Sequence, residues 1–248
     1  MPKFFVDFGA DCPEQAPDSL IEITGQDALH ISKTLRMKVG EALTVTDSKG
    51  NDYVTVIDSF NKSSVFLRIK EVKKSDTESD VEIYLFQALI KNDKMDTVIQ
   101  KAVELGVTHV YPVSAERSIV KLDREGERKK CERWNKIALE ASKQCGRGIV
   151  PEVHSVITVA ECAEILKRLD GAFYCYELSE GQTVKDVIKD KPLKSLGFYI
   201  GPEGGISPAE AKVFDSLGIP SVTLGKLILR TETAGMAVLA MVLYETRL

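Results

Sequence analysis

The sequence predicts a two-domain protein in which a small β-barrel precedes an α/β domain with a mainly parallel sheet. Three observations lead to this prediction: the length of 248 residues, the short alternating apolar runs before residue 72, and the alternation of strands with helices after residue 81. A chain of this length exceeds the usual size of one domain. Strands that alternate with helices form parallel sheets, which bind ligands at the carboxyl ends of their strands.

Residues 1–72 are predicted to form the β-barrel. Runs such as ALTVTD, DYVTVID and SVFLRIK alternate apolar and polar residues between turn sequences. One helix is predicted in QDALHISKTLRMKVGE, where four apolar residues recur at helical spacing: Ala28, Ile31, Leu35 and Val39. Residues 73–80, KKSDTESD, contain no apolar anchor and are predicted to be the linker.

Residues 81–248 are predicted to form the α/β domain. VEIYLFQALI, VTHVYPV and GFYIG are predicted strands, and KMDTVIQKAVELG and ERWNKIALEASKQCG lie in predicted helices. In IGPEGGISPAE a strand passes into a helix, whose start is specified by a capping box of Ser207 and Glu210 with Pro208 at the first helical position. Since Ser207 occupies backbone amides that a phosphate would need, a nucleotide-phosphate loop is disfavoured.

Charge and cysteine usage narrow the class of protein. The net charge is −4, but ten lysines and arginines stand against five acidic residues between Arg117 and Arg147. A local basic segment in an acidic chain favours a defined nucleic-acid surface over indiscriminate coating. The five cysteines include no C-x-x-C pair, and His30, His109 and His154 are far apart along the chain, so neither a disulfide framework nor a metal site is predicted.

No membrane partner is expected. The N-terminal sequence MPKFFVDFGADCPEQ lacks the basic start and the long apolar run of a signal peptide. The apolar run at residues 235–244 has about half the length that a bilayer crossing needs. A cytoplasmic location is therefore the expectation.

Four motifs occur together in this chain. They are IGPEGG followed by S-x-x-E, LG-x-x-ILR-TE-T-A near the C-terminus, K-x-x-K-M-D-x-x-I-Q-K-A-x-E-L-G-V near residue 100, and RW-x-x-I-x-x-E-A-x-x-Q-x-x-R before Pro151. With these motifs the chain resembles the RsmE family of SPOUT-superfamily methyltransferases, which methylate N3 of a uridine in small-subunit (16S) ribosomal RNA. HISKTLRMKVGE is similar to the N-terminal H-x-x-x-V-L-R stretch of that family, so the resemblance covers essentially the whole chain.

The resemblance implies a SPOUT-type α/β knot, that is, a trefoil-knotted, mainly parallel sheet, preceded by a PUA-like β-barrel that binds RNA. It also implies a homodimer, S-adenosyl-L-methionine as methyl donor, and small-subunit ribosomal RNA or the ribosomal subunit as partner. In the implied fold two glycine-bearing loops wrap the donor, because glycine lets backbone approach a ligand closely. The residues implied to bind the donor are Gly201, Pro202, Gly204, Gly205, Leu224, Gly225, Ile228, Leu229 and Thr231.

Methylation at N3 of uracil requires that the weakly acidic N3 lose its proton. Arg230 is predicted to stabilise the developing uracil anion. Glu203 is the candidate proton acceptor, with the alternatives that it orients Arg230 or binds substrate. A structural Arg230–Glu232 ion pair is the competing interpretation. RNA contacts are predicted at Lys33, Arg36, Lys91, Arg117, Gln144 and Arg147.

Two other functions stay open from the sequence. A different SPOUT RNA methyltransferase, such as a ribose 2′-O-methyltransferase, would share the knot loops but would not be expected to carry the HISKTLRMKVGE barrel. A non-enzymatic RNA-binding or ribosome-assembly protein would need the barrel and the basic segment but not the donor loops. Binding of S-adenosyl-L-methionine separates an enzyme from the last alternative.

Overall fold

The computed structural model describes residues 3–6, 8, 16–179, 181–189 and 192–247. The chain divides into two units, one made of residues 1–78 and 142–150, the other of residues 79–141 and 151–248. Residues 142–150 therefore belong to the first unit, although the sequence placed them in the second domain. Most of the N-terminal segment considered for a signal peptide, including Cys12, lies outside the described residues.

The first unit is built on a five-stranded sheet. Its elements are β1 (Lys3–Phe5), β2 (Leu20–Thr24), α1 (Gly25–Leu29), β3 (Ala42–Thr46), β4 (Asn51–Phe60) and β5 (Ser64–Lys74). The strand order is β1-β3-β4-β5-β2, with β1 parallel to β3 and the other pairs antiparallel. Alternate residues such as Leu43, Val45, Leu67 and Ile69 fill the core. β5 extends two residues into the segment predicted as linker.

The helix predicted after β2 is shorter than its apolar pattern suggests. α1 continues into one π-helical turn, His30–Thr34, and Ala28 and Ile31 are buried as expected. The prediction is wrong for Leu35 and Val39, which are exposed. The π-helical turn has more residues per turn than an α-helix, which moves Leu35 off the buried face. The chain then leaves the helix at Arg36, whose backbone has a left-handed φ of 52°, so Val39 is no longer on the helix.

The second unit contains a sheet whose strand pairs are all parallel. Its elements are β6 (Glu82–Ala88), α2 (Asn92–Glu104), β7 (His109–Ser114), α3 (Arg124–Cys145, whose last four residues fall in the first unit), β8 (Glu152–Val153), β9 (Ile157–Thr158), α4 (Val159–Leu166), β10 (Gly171–Cys175), α5 (Val184–Ile188), β11 (Ser195–Ile200), α6 (Pro208–Ser216), β12 (Ser221–Val222) and α7 (Thr231–Arg247). The order is β12-β10-β11-β6-β7-β8, and β9 also pairs with β7. The predicted parallel α/β sheet is confirmed, whereas the trefoil knot stays a prediction.

Helices cover both faces of the second sheet. α4 and α6 pack against the face that carries Phe86 and Tyr199, whereas Gly235 of α7 lies against Leu85 and Gln87. Successive strand residues point to opposite faces, so α7 lies on the face opposite α4 and α6. Because the strands are parallel, the segments that follow them converge at one edge, where ligands bind in such sheets.

No helix within the described ranges is both long and apolar enough to cross a membrane.

Candidate active site

The segment after β11, residues 201–207, is held in a tight conformation at the carboxyl edge of the sheet. Gly205 has a left-handed φ of 73°. A Cβ on Gly201 would lie 2.7 Å from Cγ1 of Ile206. Both positions thus require glycine, one for its backbone angle and the other for close packing.

The predicted capping box of α6 is confirmed. The Ser207 hydroxyl accepts a bond from the Glu210 amide at 3.2 Å, and the Glu210 carboxylate accepts one from the Ser207 amide at 2.9 Å. Pro208 occupies the first turn. These bonds fix where the glycine segment ends and use the amides that a phosphate would otherwise approach.

The segments after β7 and β11 are bonded to each other. The Glu116 amide donates to Glu210 Oε1 at 2.8 Å, and the Ser207 hydroxyl donates to Glu116 Oε2 at 2.6 Å. Nη1 of Arg117 donates to the carbonyl oxygen of Gly204 at 3.1 Å. The exposed Arg117 therefore lies directly beside the glycine segment.

Thr231 joins three elements at this edge. Its hydroxyl donates to the Gly201 carbonyl oxygen at 2.6 Å and accepts a bond from Nε2 of Gln87 at 2.9 Å. This connects the end of β6, the segment after β11 and the start of α7. Gln87 was not anticipated as a site residue, although a polar residue inside the apolar run VEIYLFQALI was an available signal.

Lys94 links two acidic residues that the sequence singled out. Its Nζ lies 3.5 Å from Oε1 of Glu203 and 3.5 Å from Oε1 of Glu232. Oε2 of Glu232 is buried and makes no hydrogen bond within the described chain. Lys94 was missed by the sequence reasoning, although it is the second lysine of the K-x-x-K-M-D motif.

Arg230 is exposed immediately before α7. The competing interpretation, an Arg230–Glu232 ion pair, is wrong because Glu232 pairs with Lys94. Across the ranges that the structure describes, no carboxylate lies within 4.0 Å of the Arg230 guanidinium, so Glu203 does not orient it. The guanidinium is available to an external anion.

The segment between β12 and α7 presents apolar surface beside Arg230. Gly225 has a left-handed φ of 105°, and its amide donates to the Thr223 hydroxyl at 3.2 Å. Leu227 and Ile228 are 81% and 89% exposed. Two adjacent large apolar side chains in solvent mark a surface for a ligand or a partner.

The residues predicted to contact RNA fall into two groups. Five are exposed: Lys33, Arg36, Lys91, Arg117 and Gln144. Arg147 is buried, with a side chain that is only 5% exposed. Its Nη2 lies 2.6 Å from Oε2 of Glu78, whose side chain is 13% exposed. The buried Arg147–Glu78 pair belongs to the first unit, and this placement does not support an RNA-contacting role for Arg147.

The fold and this site define a two-domain RNA methyltransferase. The RNA methyltransferase domain family matches residues 77–243, and the RNA methyltransferase PUA domain family matches residues 23–70. Ribosomal RNA small subunit methyltransferase E of Bacillus subtilis (strain 168) is 32% identical over 253 residues, covering 100% of this chain and 98% of that protein. This chain belongs to the ribosomal RNA small subunit methyltransferase E family, as its motifs predicted.

Solved structures agree with this assignment. The ribosomal RNA small subunit methyltransferase E from Neisseria gonorrhoeae, bound to S-adenosyl methionine, has a TM-score of 0.84 at 30% identity, covering 98% of this chain and 97% of that one. A putative methyltransferase from Legionella pneumophila, in complex with the cofactor SAM, has a TM-score of 0.83 at 30% identity, with the same coverage.

Proposed function

We propose that this protein transfers the methyl group of S-adenosyl-L-methionine to N3 of a uridine in small-subunit ribosomal RNA. The observation that carries the proposal is the bond from Thr231 to Gly201, which joins the glycine segment to the start of α7 beside the exposed Arg230. The names of the relatives and the donor bound in two similar structures support the substrate and the donor.

The residues at the carboxyl edge fit this donor. Gly201 and Gly205 let backbone approach closely, the exposed Leu227 and Ile228 offer apolar surface to a nucleoside, and the unbonded Oε2 of Glu232 can accept a bond from an amino or hydroxyl group. When bound, the donor supplies an electrophilic methyl group. The residues proposed to hold it are Gly201, Pro202, Gly204, Gly205, Leu224, Gly225, Ile228 and Leu229, with Thr231 fixing the two segments.

The chain's own groups supply the electrostatics of the reaction. Arg230, which no carboxylate of the described chain engages, is positioned to stabilise negative charge that develops on the uracil ring. Glu203 is proposed to accept the N3 proton, and Lys94 holds its carboxylate in place from the first turn of α2. Lys94 also holds Glu232, so one ammonium contacts an acidic group of the glycine segment and one in the first turn of α7.

The uridine must be unpaired, because pairing hides N3 inside the duplex. Lys33, Arg36 and Gln144 on the first unit, and Lys91 and Arg117 on the second, are proposed to contact phosphate and sugar. Such contacts position the RNA, whereas Arg230 and Glu203 are proposed to select the base.

We infer that the protein is a homodimer that uses α7. Met241 and Tyr244 are exposed on one face of this helix, at i and i+3, and Leu227 and Ile228 are exposed in the segment before it. Light scattering at micromolar concentration is expected to give about twice the chain mass of 27.4 kDa. A fully active monomer at the same concentration would contradict this inference.

The function is tested by methyl transfer from labelled donor to small ribosomal subunits or their naked RNA, with a chelator present. Mass spectrometry of the digested RNA should find the added methyl group on a uracil base, because the proposed site acts at N3. A methyl group on ribose would overturn the N3 assignment and favour the 2′-O alternative. No transfer to either substrate, from a protein that binds the donor, would remove the proposed substrate class.

Charge reversal of Lys33 and Arg36 together is expected to weaken RNA binding and leave donor affinity unchanged. If both side chains bind phosphates, the slope of log affinity against log salt should fall by about 1 for each phosphate that the variant no longer neutralises. Binding is measured by fluorescence anisotropy over a salt series. Lys62→Glu, a reversal at an exposed lysine in the β4–β5 turn, is the control. An equal reduction of affinity in that control would show a general charge effect.

A further inference from the structure

Two of the three histidines meet on the second unit, which their spacing in the sequence did not indicate. Nδ1 of His109 and Nε2 of His154 lie 3.0 Å apart. Oε1 of Glu152 lies 3.3 Å from Nδ1 of His154. One ligand atom from each of the three residues lies within 4.8 Å of the other two. The expectation that the histidines are dispersed is therefore wrong for this pair.

Strand pairing brings these residues together. His109 begins β7, Glu152 begins β8, and the two are register partners in the parallel ladder. His154 directly follows β8, and its amide donates to the Val110 carbonyl oxygen at 2.9 Å. The cluster thus rests on regular backbone, which places ligands more reproducibly than a loop does.

Aromatic neighbours orient both imidazoles. The ring of Tyr84 stacks on His109 with centroids 4.4 Å apart, and the ring of Tyr111 stacks on His154 at 3.9 Å with an interplanar angle of 6°. Stacking restricts the rotation of each imidazole before any ligand binds. Little side-chain entropy is then lost on binding.

The protonation state of the pair suits metal ligation. Burial is the main cause that lowers the pKa of both His109 and His154, against the opposing effect of nearby carboxylates such as Glu152. A metal ligand must be a neutral imidazole, and burial favours that form of both rings. The contact between the two ring nitrogens requires one shared proton, which a cation would replace.

We propose that His109, Glu152 and His154 form a binding site for a divalent transition-metal ion of the zinc class. Two imidazoles and a carboxylate are a donor set for Zn²⁺, whereas Mg²⁺ and Ca²⁺ prefer oxygen ligands. Bond lengths of about 2.0–2.2 Å place the ligands of a tetrahedral ion roughly 3.3 Å apart, close to the present separation of the imidazole nitrogens. The Glu152 side chain is 64% exposed and can rotate to complete the set with water.

The site would be structural. His109 and Glu152 stand at the amino-terminal ends of their strands, opposite the edge that carries Gly201 and Thr231. β8 has two residues and ends the sheet order, so few ladder bonds hold it. An ion bound by residues of both strands would stabilise the pairing of β8 with β7. It would take no part in methyl transfer.

Cobalt titration of the chelator-treated full-length protein tests the proposal. Co²⁺ should give visible d–d absorption of a four-coordinate site, and Zn²⁺ should abolish it and raise the melting temperature. His154→Ala should weaken Co²⁺ binding at least a hundredfold, and Glu152→Gln, at an exposed side chain, about tenfold. His30→Ala, which changes the histidine outside the cluster, should bind as the wild type does.

Three results would overturn the proposal: no d–d absorption, a melting temperature unchanged by Zn²⁺, or binding that Glu152→Gln and His154→Ala leave intact. If His154→Ala does not fold, Glu152→Gln alone decides. Wild-type protein treated with chelator should still transfer the methyl group. Loss of the metal and loss of the proposed function are therefore distinguishable.

Discussion

Arg230→Ala is expected to lower the rate of methyl transfer about a hundredfold to a thousandfold, the usual effect of removing one preorganised group that stabilises developing charge. Donor affinity should change little, because the exposed Arg230 guanidinium is proposed to face the uracil ring and not the donor. Melting temperature should also change little, since the guanidinium is exposed and no carboxylate of the described chain pairs with it. Single-turnover methylation, donor titration and thermal unfolding measure the three quantities.

Lys226→Ala is the matched control for this experiment. Lys226 is an exposed basic residue of the same segment, four positions earlier, and its removal lowers the local charge by the same amount. Its effect on single-turnover rate should be small if the contribution of Arg230 depends on position. Near-normal turnover in folded Arg230→Ala protein, or an equally slow rate in Lys226→Ala, would remove the catalytic assignment.

Local sequence patterns predicted local structure well. The apolar run before Gln87 predicted β6, and the S-P-x-E motif predicted the cap of α6. Both features depend on residues within a few positions of one another. The same reasoning failed at Leu35 and Val39. A π-helical turn precedes Leu35 and the left-handed Arg36 follows it, and apolar spacing indicates neither of them.

Local sequence patterns did not predict the contacts that assemble the site. Gln87, Gly201 and Thr231 meet because β6 and β11 are neighbours and α7 starts at their common edge. The pairing of Lys94 with Glu203 and Glu232 likewise joins three segments. Strand order determines such contacts, and hydrophobic periodicity does not specify strand order. Family motifs identified most of these positions but not their partners.

The position of Arg147 in a family motif did not predict its burial. The motif predicted an RNA contact, but burial decides whether a guanidinium can reach a phosphate, and this one faces Glu78. Burial of the Glu78 carboxyl opposes its ionisation, yet Arg147 and the amides of Gly148 and Ile149 outweigh burial and hold the pKa of Glu78 below its ordinary value. The stabilisation is therefore complete above the unfolded-state pKa and is lost as pH falls through the lower folded-state pKa.

Arg147→Ala is expected to reduce the free energy of unfolding by about 3–5 kcal/mol at neutral pH, because it leaves the Glu78 carboxylate buried without its partner. Urea unfolding measures this reduction, which should shrink in acid as Glu78 becomes protonated. Adding Glu78→Gln to Arg147→Ala should recover part of the stability, since a neutral amide is less costly to bury than a charge. A folded, equally stable Arg147→Ala protein with weakened RNA affinity alone would instead establish the RNA contact that the motif predicted.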